Sequence, residues 1–247
     1  MRYAILSDIH GNIWALEAVL EDASRRAIDQ FLNLGDILYG PLEPRKTFAR
    51  LQSLDAVTIQ GNQDREIYDA PPDTAHPTLR YILDDLSSAA VEWLRVLPKT
   101  AVAGDIFACH GSPASDVAYL LEDVRQGFPI VREAEAIASD LRGIEKPLVV
   151  CGHTHHARVV RVDPDRIVVN PGSVGLPAYD DDQPNYHSMQ SYSPHASYAI
   201  IENAGQQWHI ALHKVGYPFE MAVEAARRRG RHDWAEWLGT GRVAKAK

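Results

Sequence analysis

Tyr3-Ala4-Ile5-Leu6-Ser7-Asp8-Ile9-His10 is a short apolar run that stops on two side chains able to bind metal, and Ile13, Leu16, Val19 and Leu20 follow at helical spacing. This strand, loop and helix unit recurs. Phe31 to Leu34 ends at Gly35-Asp36, a helix is expected from about Pro44 to Leu54, and Ala56 to Ile59 ends at Gly61-Asn62. Strands alternating with helices imply βαβ units and a parallel sheet, so the chain reads as α/β. From Ile67 to Leu97 the composition is helical, broken by the turn-rich stretch Ala70 to Pro77 and closed by Pro98. Beyond it, Gly104-Asp105 suits a tight hairpin between Ala101–Ala103 and Ile106–Cys109, and Pro164-Asp165 suits another. Leu148–Cys151, Ala157–Val162, Ile167–Val169, Tyr198–Ile201 and Trp208–His213 complete a set of short strands that fits a mixed, two-sheet core. The polar stretch at about 179–195 reads as a long loop covering a site, and about 218–239 as a terminal amphipathic helix interrupted by Gly230. With no internal repeat or long linker, residues 1–247 are expected to form one domain.

The 247 residues include 25 Lys plus Arg against 33 Asp plus Glu, a formal net charge of −8, which argues against a broad cationic footprint for duplex nucleic acid. Hydrophobic residues at 45% and charged residues at 23% exclude disordered, collagenous and disulfide-stapled classes. No apolar run approaches a membrane span and the stretch after Met1-Arg2 is too short for a signal peptide, so a cytoplasmic location without membrane attachment is expected. Cys109 and Cys151 are then free thiols. Eleven His are left to explain.

What terminates each apolar run supplies the explanation. The runs end at Asp8 and His10, at Asp36, at Asn62, at His110, and at Gly152-His153-Thr154-His155. Ligands gather at the carboxyl ends of strands in open α/β sheets, so these residues should meet in space. Asp, Asn and His together suit Mn, Fe, Ni or Zn rather than calcium alone. Seven residues are too many for one ion. Two dications bridged by one carboxylate, for which Asp36 is the choice, would use them all. Such a pair lowers the pKa of a bound water towards neutrality.

Asp8-Ile9-His10, Gly35-Asp36, Gly61-Asn62-Gln63-Asp64, His110 and Gly152-His153-Thr154-His155 resemble the motifs of the calcineurin-like metallophosphoesterase superfamily. Gly35 to Pro41 and Asn170 to Pro177 point to its small bacterial and archaeal phosphodiesterase-like branch. The resemblance implies a four-layer α/β/β/α sandwich with two mixed central sheets. It also implies one metal on Asp8, His10, Asp36 and His155 and a second on Asp36, Asn62, His110 and His153, with Mn or Fe favoured and Ni or Zn open. The activity it implies is metal-dependent hydrolysis of a small phosphate ester or nucleotide. Diesters lead, with a phosphomonoesterase or nucleotide phosphatase as the alternative and a non-catalytic scaffold of the same fold further behind. A homo-oligomer is compatible with it.

Many superfamily members carry a His where this chain has Gln63, which donates a hydrogen bond but cannot act as a general acid. His187 and His195 in the 179–195 stretch, His76 and a metal-bound water are the candidate substitutes. Arg65 is expected to pair with Asp64 or Glu66, His156 to face away from the metals, and His209 and His213 to be cross-strand partners. Arg227-Arg228-Arg229-Gly230-Arg231 reads as a solvated helix face. By resemblance, Asn170 and Ser173 place donors near the substrate.

Overall fold

The structure is a computed structural model that describes residues 1–125, 127–205 and 207–244. The chain runs β1 (Arg2–Leu6), α1 (Ile13–Ser24), β2 (Gln30–Asn33), α2 (Pro44–Leu51) and β3 (Ala56–Thr58), then α3 (Asn62–Asp69), α4 (Pro77–Asp85) and α5 (Ser88–Val96). A hairpin of β4 (Thr100–Ala103) and β5 (Ile106–Cys109) follows, then β6 (Glu122–Arg125), β7 (Phe128–Val131), α6 (Ala134–Asp140) and β8 (Leu148–Val150). Three more hairpins, β9 (Arg158–Asp163) with β10 (Arg166–Asn170), β11 (Ala178–Asp181) with β12 (His187–Gln190) and β13 (Ala196–Ala204) with β14 (Gln207–Val215), precede α7 (Phe219–Arg228) and α8 (His232–Thr240).

Two five-stranded mixed sheets carry the architecture, ordered β14-β13-β1-β2-β3 and β4-β5-β8-β10-β9. In the first, β1, β2 and β3 are parallel and β13 lies antiparallel to β1. In the second, β5, β8 and β10 are parallel, with antiparallel β4 and β9 at the edges.

The side-chain period of two assigns the layers. On β1, Tyr3 and Ile5 join Leu32, Leu34, Ile106, Leu148, Val150 and Ile201 in a core that draws on both sheets, so the sheets face one another. Ala4 and Leu6 point the other way, onto Leu16, Val19 and Leu20 of α1 and the buried faces of α7 and α8. On the second sheet Val149 and Cys109 turn outward onto Ile137 of α6. The layers are therefore helix, sheet, sheet, helix, as the resemblance implied. Burying each Leu or Ile in these layers contributes about 1.5–3 kcal/mol.

Two expected elements differ. The stretch 179–195 is largely the β11–β12 hairpin: His187 and Met189 are buried while Ser188 and Gln190 are less so, a strand alternation hidden by the polarity of its inward residue. The terminal helix is two helices, because Gly230 at φ +74 turns the chain between α7 and α8. The hairpins at Gly104-Asp105 and Pro164-Asp165 form where expected.

Candidate metal centre

The carboxyl ends of β1, β2, β5 and β8 converge on one edge, with the amino end of α3 between them. Asp8 and His10 follow β1, Asp36 follows β2, Asn62 opens α3, His110 follows β5, and His153 and His155 follow β8. Five of these seven sit in the left-handed region: Asp8 at φ 55, His10 at 53, Asp36 at 52, His153 at 68 and His155 at 58. Such a backbone costs of order 1–2 kcal/mol for a side-chain-bearing residue and persists only where its surroundings enforce it. Here the loops brace one another: the N–H groups of Asp8 and His10 donate to the carbonyls of Gly35 and Asp36, and Gly152 N–H donates to the His110 carbonyl at 2.7 Å. The β2 and β3 exits approach so closely that a Cβ on Gly35 would lie 2.3 Å from the Gly61 nitrogen, and one on Gly61 2.2 Å from Asp36 Oδ1.

Two side-chain groups result, Asp8 with His10 and His155, and Asp36 with His110 and His153, each with its donor atoms within 4.8 Å of one another. Asn62 joins the second group, its Oδ1 lying 3.1 Å from His110 Nε2. The imidazole tautomers are set from behind. Nδ1 of His10, His110 and His155 lies 3.0, 2.8 and 2.6 Å from the carbonyls of Tyr39, Leu34 and Leu176, to which it donates, so each Nε2 is turned inward, and in the neutral rings of His10 and His155 it carries a lone pair. His153 is held the other way round, with Nε2 against the Val117 carbonyl at 3.3 Å.

A divalent cation fits this arrangement. His10 Nε2 and His155 Nε2 face each other at 3.2 Å, so two lone pairs meet with no proton between them. Asp8 Oδ1, wholly buried, has no hydrogen-bond donor and lies 3.3 Å from His155 Nε2. A buried oxygen without a donor is costly unless a cation takes that place.

The electrostatics agree. Burial and the neighbouring His155 push His10 down to about 4, which keeps it neutral as a ligand must be. Burial also disfavours the charged form of His110, but Asp36 and Asp8 outweigh it and raise that imidazole to about 10. Burial would raise the Asp8 and Asp36 carboxyls, yet His155 and His110 respectively hold them below the ordinary carboxylate range.

Other predicted residues fall elsewhere. Gln63 lines the same cavity, and its backbone N–H donates to Asp36 Oδ1 at 2.9 Å. His187 is buried with Nε2 on the Tyr119 hydroxyl at 2.9 Å and Nδ1 on the Asn185 carbonyl, and His195 is exposed and bonded to Ser193. Neither is brought to the ligand groups. His76 does reach the cavity, and its Nδ1 caps α4 by accepting from Leu79 N–H. Arg65 pairs with Asp116 at 2.8 Å, because Asp64 is buried and accepts from the N–H groups of Gly61 and Ile37 instead. Asn170 donates to the Gly152 carbonyl and Ser173 to the Asp8 carbonyl, so both brace the ligand loops from beneath. His156 bonds Arg158 and Gln190, His209 and His213 pair with Glu202 and Tyr198 across β13, and both cysteines are buried and free. Of the arginine run, Arg227 and Arg228 are exposed as a solvated face requires, whereas Arg229 stacks on Tyr81 and bonds Glu43, and Arg231 lines the cavity.

The cavity, about 190 Å³, places Tyr39, Tyr179, Trp234 and Trp237 around the ligand groups. Nothing in the local pattern of these aromatics marks them. For Asp64 a signal existed, since an acid three residues after Gly61 makes a capping box at the start of α3.

Residues 1–191 match the model of the calcineurin-like phosphoesterase superfamily domain. A metallophosphoesterase from Sphaerobacter thermophilus is similar in structure, with a TM-score of 0.77 at 27% identity over 98% of this chain and 100% of that one. A hypothetical protein from Pyrococcus horikoshii superposes with a TM-score of 0.75 at 20% identity, covering 98% and 99% of the two chains. In sequence, an uncharacterized protein of Methanocaldococcus jannaschii is 22% identical over 96% of this chain and 95% of its own length.

Proposed function

Because the chain belongs to the calcineurin-like phosphoesterase superfamily, we propose that it is a dinuclear-metal hydrolase of small phosphodiesters, with Asp8, His10, Asp36, Asn62, His110, His153 and His155 as the metal ligands. The observation that carries this reading is the pair of ligand groups, the first of which sets His10 Nε2 and His155 Nε2 3.2 Å apart beside a buried Asp8 oxygen that has no donor. Asp36 is the shared ligand in this reading, lying among the second group with Oδ1 3.5 Å from His110 Nε2 while its charge acts on His10 of the first.

Two bound dications would lower the pKa of a water and neutralise phosphoryl oxygens. The chain's own residues do the rest. The carbonyls of Tyr39, Leu34 and Leu176 hold three imidazoles with their Nε2 atoms inward. Asn62, a neutral amide, adds an oxygen ligand without repelling a phosphate. Burial holds the Tyr39 hydroxyl protonated up to about 12, so it faces the cavity as a donor.

The charge of the walls favours a diester. Asp180 and Asp181 line the cavity, and the Arg231 guanidinium there is balanced by Asp233 at 2.7 Å. A monoanionic diester meets less repulsion in such a cleft than a dianionic monoester. Gln63 cannot protonate a leaving oxygen, which fits esters whose leaving group departs readily.

The test is to load the purified protein with Mn, Fe, Ni or Zn, count the bound metal, and compare bis-p-nitrophenyl phosphate with p-nitrophenyl phosphate. Two metals per chain and faster diester turnover are expected, and faster monoester turnover would overturn the diester reading. Asp36→Asn should remove activity and reduce metal content; near-normal turnover would refute the shared ligand.

A further inference from the structure

We propose that Arg231, in the turn between α7 and α8, is a substrate-positioning residue that donates to an anionic oxygen of the phosphate ester, and that this turn and α8 form a wall of the active site. The inference rests on the phosphoester reading above and extends it to a segment lying after residue 191, where the family match ends.

Three observations meet at Arg231. It lines the cavity that also contains His10, Asp36, His153 and His155, although it lies 76 residues beyond His155 in the chain. Its side chain is held in place: Nε and Nη2 donate to the Asp233 carboxylate at 2.9 and 2.7 Å, Nη1 donates to the buried Thr78 hydroxyl at 2.6 Å, and the guanidinium lies 5.4 Å from the Trp234 ring. Trp234 in turn meets His10 edge-on at 5.7 Å, so one ring connects Arg231 to a ligand of the first group.

A guanidinium carries five N–H donors. The Asp233 and Thr78 bonds engage one hydrogen on each of its three nitrogens, which leaves one on Nη1 and one on Nη2. Two terminal N–H groups on a planar, immobilised fork suit the oxygens of a phosphate. The side chain is 26% exposed and lines the cavity, so the guanidinium is accessible without unfolding anything. A purely structural staple joining α8 to α4 would need only the Thr78 and Asp233 bonds.

The ligand class is a phosphate ester small enough for a cavity of about 190 Å³, with the metal-ligand groups addressing its reacting phosphoryl oxygens and Arg231 addressing an oxygen on the C-terminal side. Since Asp233 cancels the net charge, the contribution is directional hydrogen bonding, so loss of the fork is felt more than loss of charge.

Inorganic phosphate is the probe, titrated calorimetrically into the full-length, metal-loaded protein, with KM and kcat for bis-p-nitrophenyl phosphate measured alongside. Arg231→Gln is expected to keep the wild-type metal content, to bind phosphate about 10- to 100-fold more weakly, and to raise KM more than it lowers kcat. Arg231→Lys should fall between Gln and wild type, because it restores charge but not the fork. Thr78→Val keeps the guanidinium and removes one tether, and should weaken phosphate severalfold; it is the deciding variant if Arg231→Gln does not fold. Phosphate affinity and KM unchanged in the folded variants would overturn the proposal. If the loaded wild type hydrolyses neither ester, the phosphoester reading fails, and the phosphate titrations still decide whether Arg231 holds an anion.

Discussion

Gly61→Ala is the smallest change that should dismantle the centre. Gly61 lies at φ −102 and ψ 178, an extended conformation open to any residue, so the substitution adds no backbone strain. The added methyl carbon would lie 2.2 Å from Asp36 Oδ1 and 2.5 Å from the Asp36 nitrogen, against ordinary contact from 3.4 Å. Asp36 must therefore retreat by about 1.2 Å, and displacing a reacting-site group by about 1 Å costs on the order of 10²-fold in rate. Overpacking of this kind costs about 1–3 kcal/mol, equivalent to a melting point lower by about 2–10 °C in a chain of this length. Metal analysis after gel filtration, a thermal melt, and the initial rate on bis-p-nitrophenyl phosphate read the three consequences separately. A folded variant with wild-type metal content and turnover would refute the reasoning, since it would show that the position of Asp36 does not govern the site.

Other consequences can be measured independently. Chelation should lower the melting temperature by about 5–10 °C relative to protein in a hundredfold excess of metal over its Kd, reversibly on reloading; no change would mean that the converging lone pairs hold no ion. Glu122, buried on β6, is pushed up from 4.5 to about 7 because burial outweighs the Arg158 ion pair at 2.8 Å. Between these values the folded form keeps a proton that the unfolded chain releases, so stability falls as pH rises through the window, by up to about 3 kcal/mol. Urea denaturation should show this fall in the wild type and a flatter profile in Glu122→Gln, and identical profiles would sink the assignment. His195→Ala should leave diester turnover at the wild-type level, and a large loss would bring the β12–β13 connection back into the chemistry.

The candidate ligand residues were legible because each follows an apolar run, and a strand end is a position that periodicity locates. The layer order came with the resemblance and not with the pattern: Tyr3, Ala4, Ile5 and Leu6 are all apolar, and only the packing shows that Tyr3 and Ile5 face the other sheet while Ala4 and Leu6 face the helices. Roles that depend on distant packing were not legible. His187 and Met189 alternate as a strand does, but a histidine inside does not register as apolar, so β12 reads as loop. Arg231 looks like its neighbours Arg227 and Arg228 until Gly230 turns the chain and Thr78, 153 residues away, captures its guanidinium. Asn170 and Ser173 hold loop carbonyls rather than substrate, a distinction between neighbouring hydrogen-bond partners that only coordinates make.

The two ligand groups also have a topological meaning. Asp8 and His10 leave one sheet, His155 leaves the other, and 145 residues of chain separate His10 from His155. An ion held between them closes a loop of that length without a covalent bond, and the chain entropy removed by closing a loop grows with its length. The two sheets, which share an apolar core, would then be clamped at one edge. Amide exchange should register this as a change in cooperativity. In the ion-free protein β1 and β8 are free to open in separate events, and with the clamp in place their slowest amides should exchange together.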